Sequence, residues 1–350
     1  MQFFAPDIQR WRSLARRLSP LWLALGTLLL ALFCLGAGRY GVSPQHVLAI
    51  LLGPWAGDGA SITPLERNVV EGIRLPRIVL AAFVGAGLAG AGAALQSLLR
   101  NPLAEPQLLG VSSGAAFGGV LAFLLVGDGW PVVAGAFVFG MLALVMVFWL
   151  ATGASRQPSN SVLLVLAGIV VSAVFAAGVS LTKLLADPQN QLPAIVFWLM
   201  GSLSAADSGK LILAVPVIGS SLLLLWSLRF SLMALAVGEE DARSLGIKVG
   251  RVRLLTLLAV GLIAACSVAL CGIVGWVGLV VPHLVRLLLG SGHRTFMLNC
   301  MLGGAAYLIA VDTLARSVSV LEIPLGVLTA LLGAPLFAIL VRRLGRSVNG

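Results

Sequence analysis

The sequence predicts an all-α polytopic membrane protein with about ten transmembrane helices, and three observations carry that prediction. Hydrophobic residues make up 59% of the 350-residue chain and charged residues only 10%, with a mean hydropathy of +1.04; soluble domains carry about a quarter charged residues. One soluble core cannot hide that much apolar surface, so lipid is the expected solvent. Apolar runs also recur at the length a spanning helix needs, about 20 residues for a hydrocarbon layer about 30 Å thick at about 1.5 Å per residue. Finally, lysine and arginine collect at alternate ends of those runs, as cytoplasmic loops require.

The runs lie at 19–38, 76–99, 108–126, 131–151, 161–185, 211–227, 253–274, 277–290, 296–316 and 325–343. A basic segment at 1–18 precedes the first, whose far end, Gly36-Ala-Gly-Arg39-Tyr40, lacks a small-x-small cleavage site, so an uncleaved span is expected. The second run is rich in small residues. Gly85-Ala-Gly87-Leu-Ala-Gly90 satisfies a dinucleotide-binding fingerprint, but inside a span such spacing is expected to serve close helix packing. The eighth is too short to cross alone and contains Pro282, so a half-helix packed within protein is expected. Between the fifth and sixth, Leu192 to Ser202 should form a short outer helix, and no separate soluble domain fits anywhere in residues 1–350.

With the N terminus inside, Arg10, Arg12, Arg16, Arg17, Arg100, Arg156, Arg229, Arg243, Lys248, Arg251, Arg253, Arg286, Arg294, Arg342, Arg343 and Arg346 fall on the cytoplasmic side, against Arg39, Arg67, Arg74, Arg77, Lys183, Lys210 and Arg316 outside. Both termini are then cytoplasmic. The net charge of +10 becomes a topology signal and needs no nucleic-acid partner. Cys34, Cys266, Cys271 and Cys300 sit in or beside spans without metal-like spacing and read as apolar packing.

Few residues invite chemistry. No G-x-x-x-x-G-K-[ST] occurs, so this chain has no P-loop of its own. Asp312 and Arg316, one helical turn apart, suggest either a local ion pair or a free outward arginine that joins Arg74 and Arg77 in a basic rim for an acidic partner. His283 reads as a structural histidine. The polar stretch from Gly238 to Ile247 (Glu239, Glu240, Asp241, Ala242, Arg243, Ser244, Leu245, Gly246) is helix-compatible and is either a solvated connector or a short helix that fits a groove on a cytoplasmic partner. Arg77-Ile-Val-Leu-Ala-Ala-Phe-Val-Gly85 faintly echoes Arg253-Leu-Leu-Thr-Leu-Leu-Ala-Val-Gly261; a true repeat at that offset of five spans would be inverted.

Taken in order, Arg74-Leu-Pro-Arg77, Asn101-Pro-Leu-Ala-Glu-Pro106, Leu109-Gly-Val-Ser-Ser-Gly114, Gly238 to Gly246, Gly278-Leu-Val-Val-Pro-His283 and Leu325 to Pro335 resemble the FecCD family, the permease subunits of type II ATP-binding-cassette importers for ferric siderophores, haem and vitamin B12. The resemblance covers Arg74 to the C terminus. It implies a bacterial inner-membrane permease working as a homodimer, with a path along the subunit interface, and no catalytic residue, metal or cofactor in this chain. ATP and magnesium would be bound by a separate cytoplasmic ATPase dimer. By motif, residues Glu239 to Gly246 resemble the coupling segment seated on that ATPase. Arg74, Arg77 and Arg316 resemble the arginines that receive a periplasmic binding protein, and Asn101, Leu103, Asn160 and Ser161 resemble a cytoplasmic gate. A ferric siderophore is the expected cargo, with haem, cobalamin or molybdate as alternatives. An ion-coupled secondary transporter would place more acids or histidines mid-membrane than the nearly solitary Asp312. A membrane enzyme would need convergent catalytic groups that the sequence does not show.

Overall fold

A computed structural model of the chain describes residues 5–53, 62–153, 161–290, 294–319 and 321–348, with side chains described in 18–53, 62–151, 162–290, 294–319 and 321–339. The described residues form helices joined by short turns. In order these are α1 (Ala5–Gly36), α2 (Pro44–Leu52), α3 (Pro64–Arg67) continued by a π-helical turn (Asn68–Arg74) into α4 (Leu75–Leu98), α5 (Val111–Leu125), α6 (Trp130–Gly153), α7 (Ser161–Leu185), α8 (Gln191–Leu199), α9 (Ser208–Ser227), α10 (Arg229–Val237), α11 (Glu239–Ser244), α12 (Val249–Cys271), α13 (Val277–Leu289), α14 (Phe296–Ser317) and α15 (Leu325–Val348). Seven stretches are long and apolar enough to cross a bilayer, and Val111–Leu125, Val277–Leu289 and Leu325–Ile339 are shorter apolar helices. The chain is a multi-pass membrane protein.

Two helices form the centre. In the spans Pro64–Leu98 and Val249–Cys271, 78% of the most apolar window is buried, against 22% for Leu18–Gly36 and for Ser208–Ser227 on the periphery. Small residues let that centre close up. A Cβ on Gly85 of α4 would fall inside the envelope of the Gly304 carbonyl of α14, and one on Gly92 would overlap Gly278 of α13, so backbone meets backbone as small-residue interfaces in membranes do. The glycine fingerprint is therefore a packing face.

The eighth run is short, as its length predicts, but Pro282 does not break it: α13 runs through Pro282 from Val277 to Leu289. Residues 272–275 are irregular, with Gly272 at φ 70°, and Trp276 takes a left-handed φ of 69° before α13 starts at Val277. Trp276 backs onto Gly333 of α15 and stacks edge-on with Phe337 at 6.5 Å. His283 is buried, its Nδ1 lying 2.9 Å from the Leu279 carbonyl one turn back, and its ring packs on Phe337 at 5.6 Å. All four cysteines are free and buried. The stretch between Arg39 and Arg74, polar in sequence, holds helix at both ends instead of only loop. Thr63 and Glu66 form a reciprocal capping box that starts α3, and Ser43 caps α2.

Candidate functional site: two polar poles of an apolar bundle

Chain direction sorts the polar residues into two poles. At one, α1 and α14 end while α4 and α15 begin; at the other, α4, α9 and α13 end while α12 and α14 begin.

The first pole is organised by arginines. A helix leaves its last four carbonyls without intrahelical donors, and the C terminus of α1 finds them in two guanidinium groups from elsewhere. Arg74 Nη1 donates to Leu35 O at 2.7 Å and Gly36 O at 3.1 Å, and its Nη2 to Tyr40 O at 2.5 Å. Arg316 donates to Cys34 O at 2.5 Å and Ala37 O at 2.9 Å. Positive charge there also suits the helix dipole.

Arg77, on the first turn of α4, is gripped by two carboxylates. Its Nε donates to Asp312 Oδ2 at 2.9 Å and its Nη2 lies 2.9 Å from Oδ1, while Nη1 and Nη2 each donate to Glu322 at 3.0 Å. Side-chain exposure is 7% for Arg77, 1% for Asp312 and 31% for Glu322. Asp312 therefore pairs with Arg77 across the bundle, and the local Asp312–Arg316 pair expected from sequence does not form; Arg316 turns to the α1 carbonyls instead. Glu322 was missed in the sequence, although it is the lone acid in Val318 to Pro324. Arg39 adds a bond to the Ser319 carbonyl, so the 318–324 connection is tied down at two points. Arg39, Arg74, Arg77 and Arg316 outnumber Asp312 and Glu322 within this cluster, while Glu66, Glu71, Asp128, Asp187 and Asp207 at the same end, against Arg67, Lys183 and Lys210, offset that excess across the pole.

At the opposite pole, α10 leads through Gly238 into α11. Ala242 is fully buried beneath the turn, while Glu240, Asp241, Arg243, Ser244, Leu245 and Gly246 are exposed, Leu245 by 72%. Glu239 fixes the segment to the core: its carboxylate accepts from Arg253 of α12 at 2.5 Å and from Arg243, one turn along, at 3.2 Å. The helix, Glu239–Ser244, is shorter than the polar stretch from Gly238 to Ile247 because Gly246 turns the chain with φ 79°. A short, rigidly rooted helix with an exposed apolar tip suits insertion into a partner's groove.

The turn after α4 lies at this same pole. Asn101 Oδ1 accepts from the Leu103 amide at 2.9 Å, and both side chains are exposed. Backbone of Leu108, on the following turn, abuts Gly168 of α7, which brings the loop to the helix that Ser161 begins. Asn160 and Arg156 lie outside the described residues, as does the side chain of Ser161. Glu105, in this turn and outside the spans, is partly buried, and burial raises its carboxyl above the ordinary 4.5. Among the described residues no three His, Cys, Asp or Glu side chains converge as a metal set would.

Comparison with known proteins identifies the family. The FecCD transport family model matches residues 26–343. A molybdate import permease of Haemophilus influenzae is 41% identical over 326 residues, covering 93% of this chain and 95% of its own. A cobalamin import permease of Halobacterium salinarum is 40% identical over 313 residues, covering 85% and 82%. A solved inward-facing transporter described as of the metal-chelate ABC type superposes with a TM-score of 0.82 at 38% identity, covering 93% of this chain and 98% of that one.

Proposed function

The chain belongs to the FecCD transport family, and from that membership we propose that it is the inner-membrane permease of an ATP-driven importer for a metal-containing cargo, with molybdate the first to test. The observation that carries the reading is the likeness to the molybdate permease, 41% over 93% of this chain. It spans both poles, so the docking face and the connector are compared together. A metal chelate is the second reading, favoured by the superposition on a metal-chelate type transporter over 93% of the chain.

In this proposal ten segments cross the membrane, the eighth being the irregular 272–276 stretch plus α13, and both termini are cytoplasmic. Two copies pair around a central path. Arg74, Arg77 and Arg316 form a local arginine cluster at the outer pole that receives an acidic periplasmic binding protein; Arg74 and Arg316 set its shape by securing α1, and Arg77 does so through Asp312 and Glu322. Glu239 to Gly246 seat on a cytoplasmic ATPase that binds ATP and magnesium. Asn101, Leu103, Asn160 and Ser161 close the inner end. The faint internal echo enters the proposal as an inverted repeat whose leading arginines, Arg77 and Arg253, begin spans at opposite poles. ATP binding then moves the connector, and α12 carries the motion into the bundle centre.

The test is uptake by proteoliposomes holding this permease, its ATPase and its binding protein. Molybdate entering on ATP supply is the expected result. Entry of a ferric siderophore, haem or cobalamin but not molybdate supports the second reading, and entry of none of the four refutes the metal-cargo proposal.

A further inference from the structure

Three arginines at the connector pole have no carboxylate partner, and they gather among aromatic rings. Arg229 lies 4.1 Å from the Trp226 ring centroid and 4.2 Å from that of Phe230, and Arg294 reaches the other side of the cluster, 5.9 Å from Phe230. Arg286, in the last turn of α13, sits 5.4 Å from the ring of Phe296, two residues beyond Arg294. Among the described residues none of the three makes an ion pair with Asp or Glu; Arg229 donates to the Trp226 carbonyl. Two nitrogens of Arg286, Nε and Nη2, are buried without any acceptor. Arg286 as a whole is partly exposed, so an anion at its open side would offset the desolvation of its charge.

The surroundings say which anion. All three arginines stand where spans end: Arg229 after α9, Arg286 closing α13 and Arg294 before α14. Trp at such ends marks the headgroup level of a bilayer. The same helix ends are apolar and uncovered, with Leu223 of α9 68%, and Leu287 and Leu288 of α13 55% and 76% exposed. Cationic heads, aromatic sides and an adjoining apolar face match a phospholipid with a net negative headgroup, and basic pockets between spans on the cytoplasmic side are known to take such lipids.

We propose that Arg229, Arg286 and Arg294 form a basic surface for an anionic phospholipid, with the phosphodiester at Arg229 and Arg294, which share Phe230, Arg286 adding to the field, and the acyl chains along the exposed leucines of these span ends. The site adjoins α10, which leads directly into the Glu239–Ser244 helix, so an occupied site steadies the root of the connector. The assignment stands on these residues alone and does not depend on the cargo or on the docking pole.

The experiment measures lipid binding to the purified full-length chain in detergent, by native mass spectrometry and by thermal shift, with phosphatidylglycerol, phosphatidylcholine and inorganic phosphate as probes. Phosphatidylglycerol should bind and raise the melting temperature while phosphatidylcholine does not. In R229Q/R294Q its apparent affinity should fall about 30-fold, the factor for two arginines at about 1 kcal/mol each. R251Q, an equal charge change per site at the same pole without aromatic neighbours, should retain the wild-type response. R286K keeps the charge should the double variant not fold, and should weaken binding by losing the guanidinium fork. Equal responses to the two lipids, an unchanged affinity in both R229Q/R294Q and R286K, or a shift fully reproduced by inorganic phosphate would each overturn the assignment.

Discussion

Neutralising Asp312 should destabilise the protein far more than neutralising Glu322, although both carboxylates hold the same guanidinium at nearly equal distance. Asp312 is 1% exposed and meets Arg77 at 2.9 Å; Glu322 is 31% exposed and meets it at 3.0 Å. Removing one partner of a buried ion pair costs about 3–5 kcal/mol, because the other charge stays behind in a poor solvent. Glu322 still offers Arg77 some compensation, which places Asp312→Asn near the low end, at about 3 kcal/mol. Water already reaches Glu322, so Glu322→Gln should cost at most about 1 kcal/mol. For a chain of this size a kcal/mol corresponds to about 2 °C, so the first variant should melt about 6 °C lower and the second within about 2 °C of wild type. The assay is the melting midpoint of the detergent-purified chain at one fixed scan rate, since membrane proteins unfold irreversibly. Equal losses, or a greater loss for Glu322→Gln, would show that burial does not govern this cluster.

Gly85→Val should push α4 from α14 at the Gly304 contact and cost about 3 kcal/mol or more, whereas Gly219→Ala, whose Cβ would stand 3.6 Å from Phe83, should change the melting midpoint little. Arg253→Ala should free Glu239 from α12 and lower transport per ATP hydrolysed about tenfold, the factor for one charge-assisted hydrogen bond of about 1.5 kcal/mol, with ATPase assembly intact in pull-down. Burial raises the Glu105 carboxyl above 4.5, so the folded state prefers it protonated; its contribution to stability is full below 4.5 and declines as pH rises past its folded value. Glu105→Gln should flatten that decline in a pH series of melting curves.

Much of the fold was legible because bilayer chemistry is coarse. Run length located the long apolar helices, the short eighth run located α13, which Pro282 does not break, and Gly85 marked close helix approach. The short helix at Gln191–Leu199 and the connector were also readable, since each is a local pattern. What could not be read were partners distant in sequence. Spacing of one turn pointed Asp312 toward Arg316, but the fold supplies Arg77 from 235 residues away, and no local rule competes with a preorganised fork. Arg74 and Arg316 read as free outward cations because backbone carbonyls, their actual acceptors, have no signature in sequence. Helix at Pro64–Arg74 was hidden by polarity, although Thr63 and Glu66 spelled a capping box in plain view.

The most direct test compares ATP hydrolysis and cargo entry in proteoliposomes that hold this chain alone with those that hold it beside its ATPase and binding protein. The chain alone should do neither, and the complete assembly should do both, with entry stopping when ATP is withheld. ATP hydrolysis by the purified chain, or cargo accumulation without its companions, would contradict a permease driven through its connector.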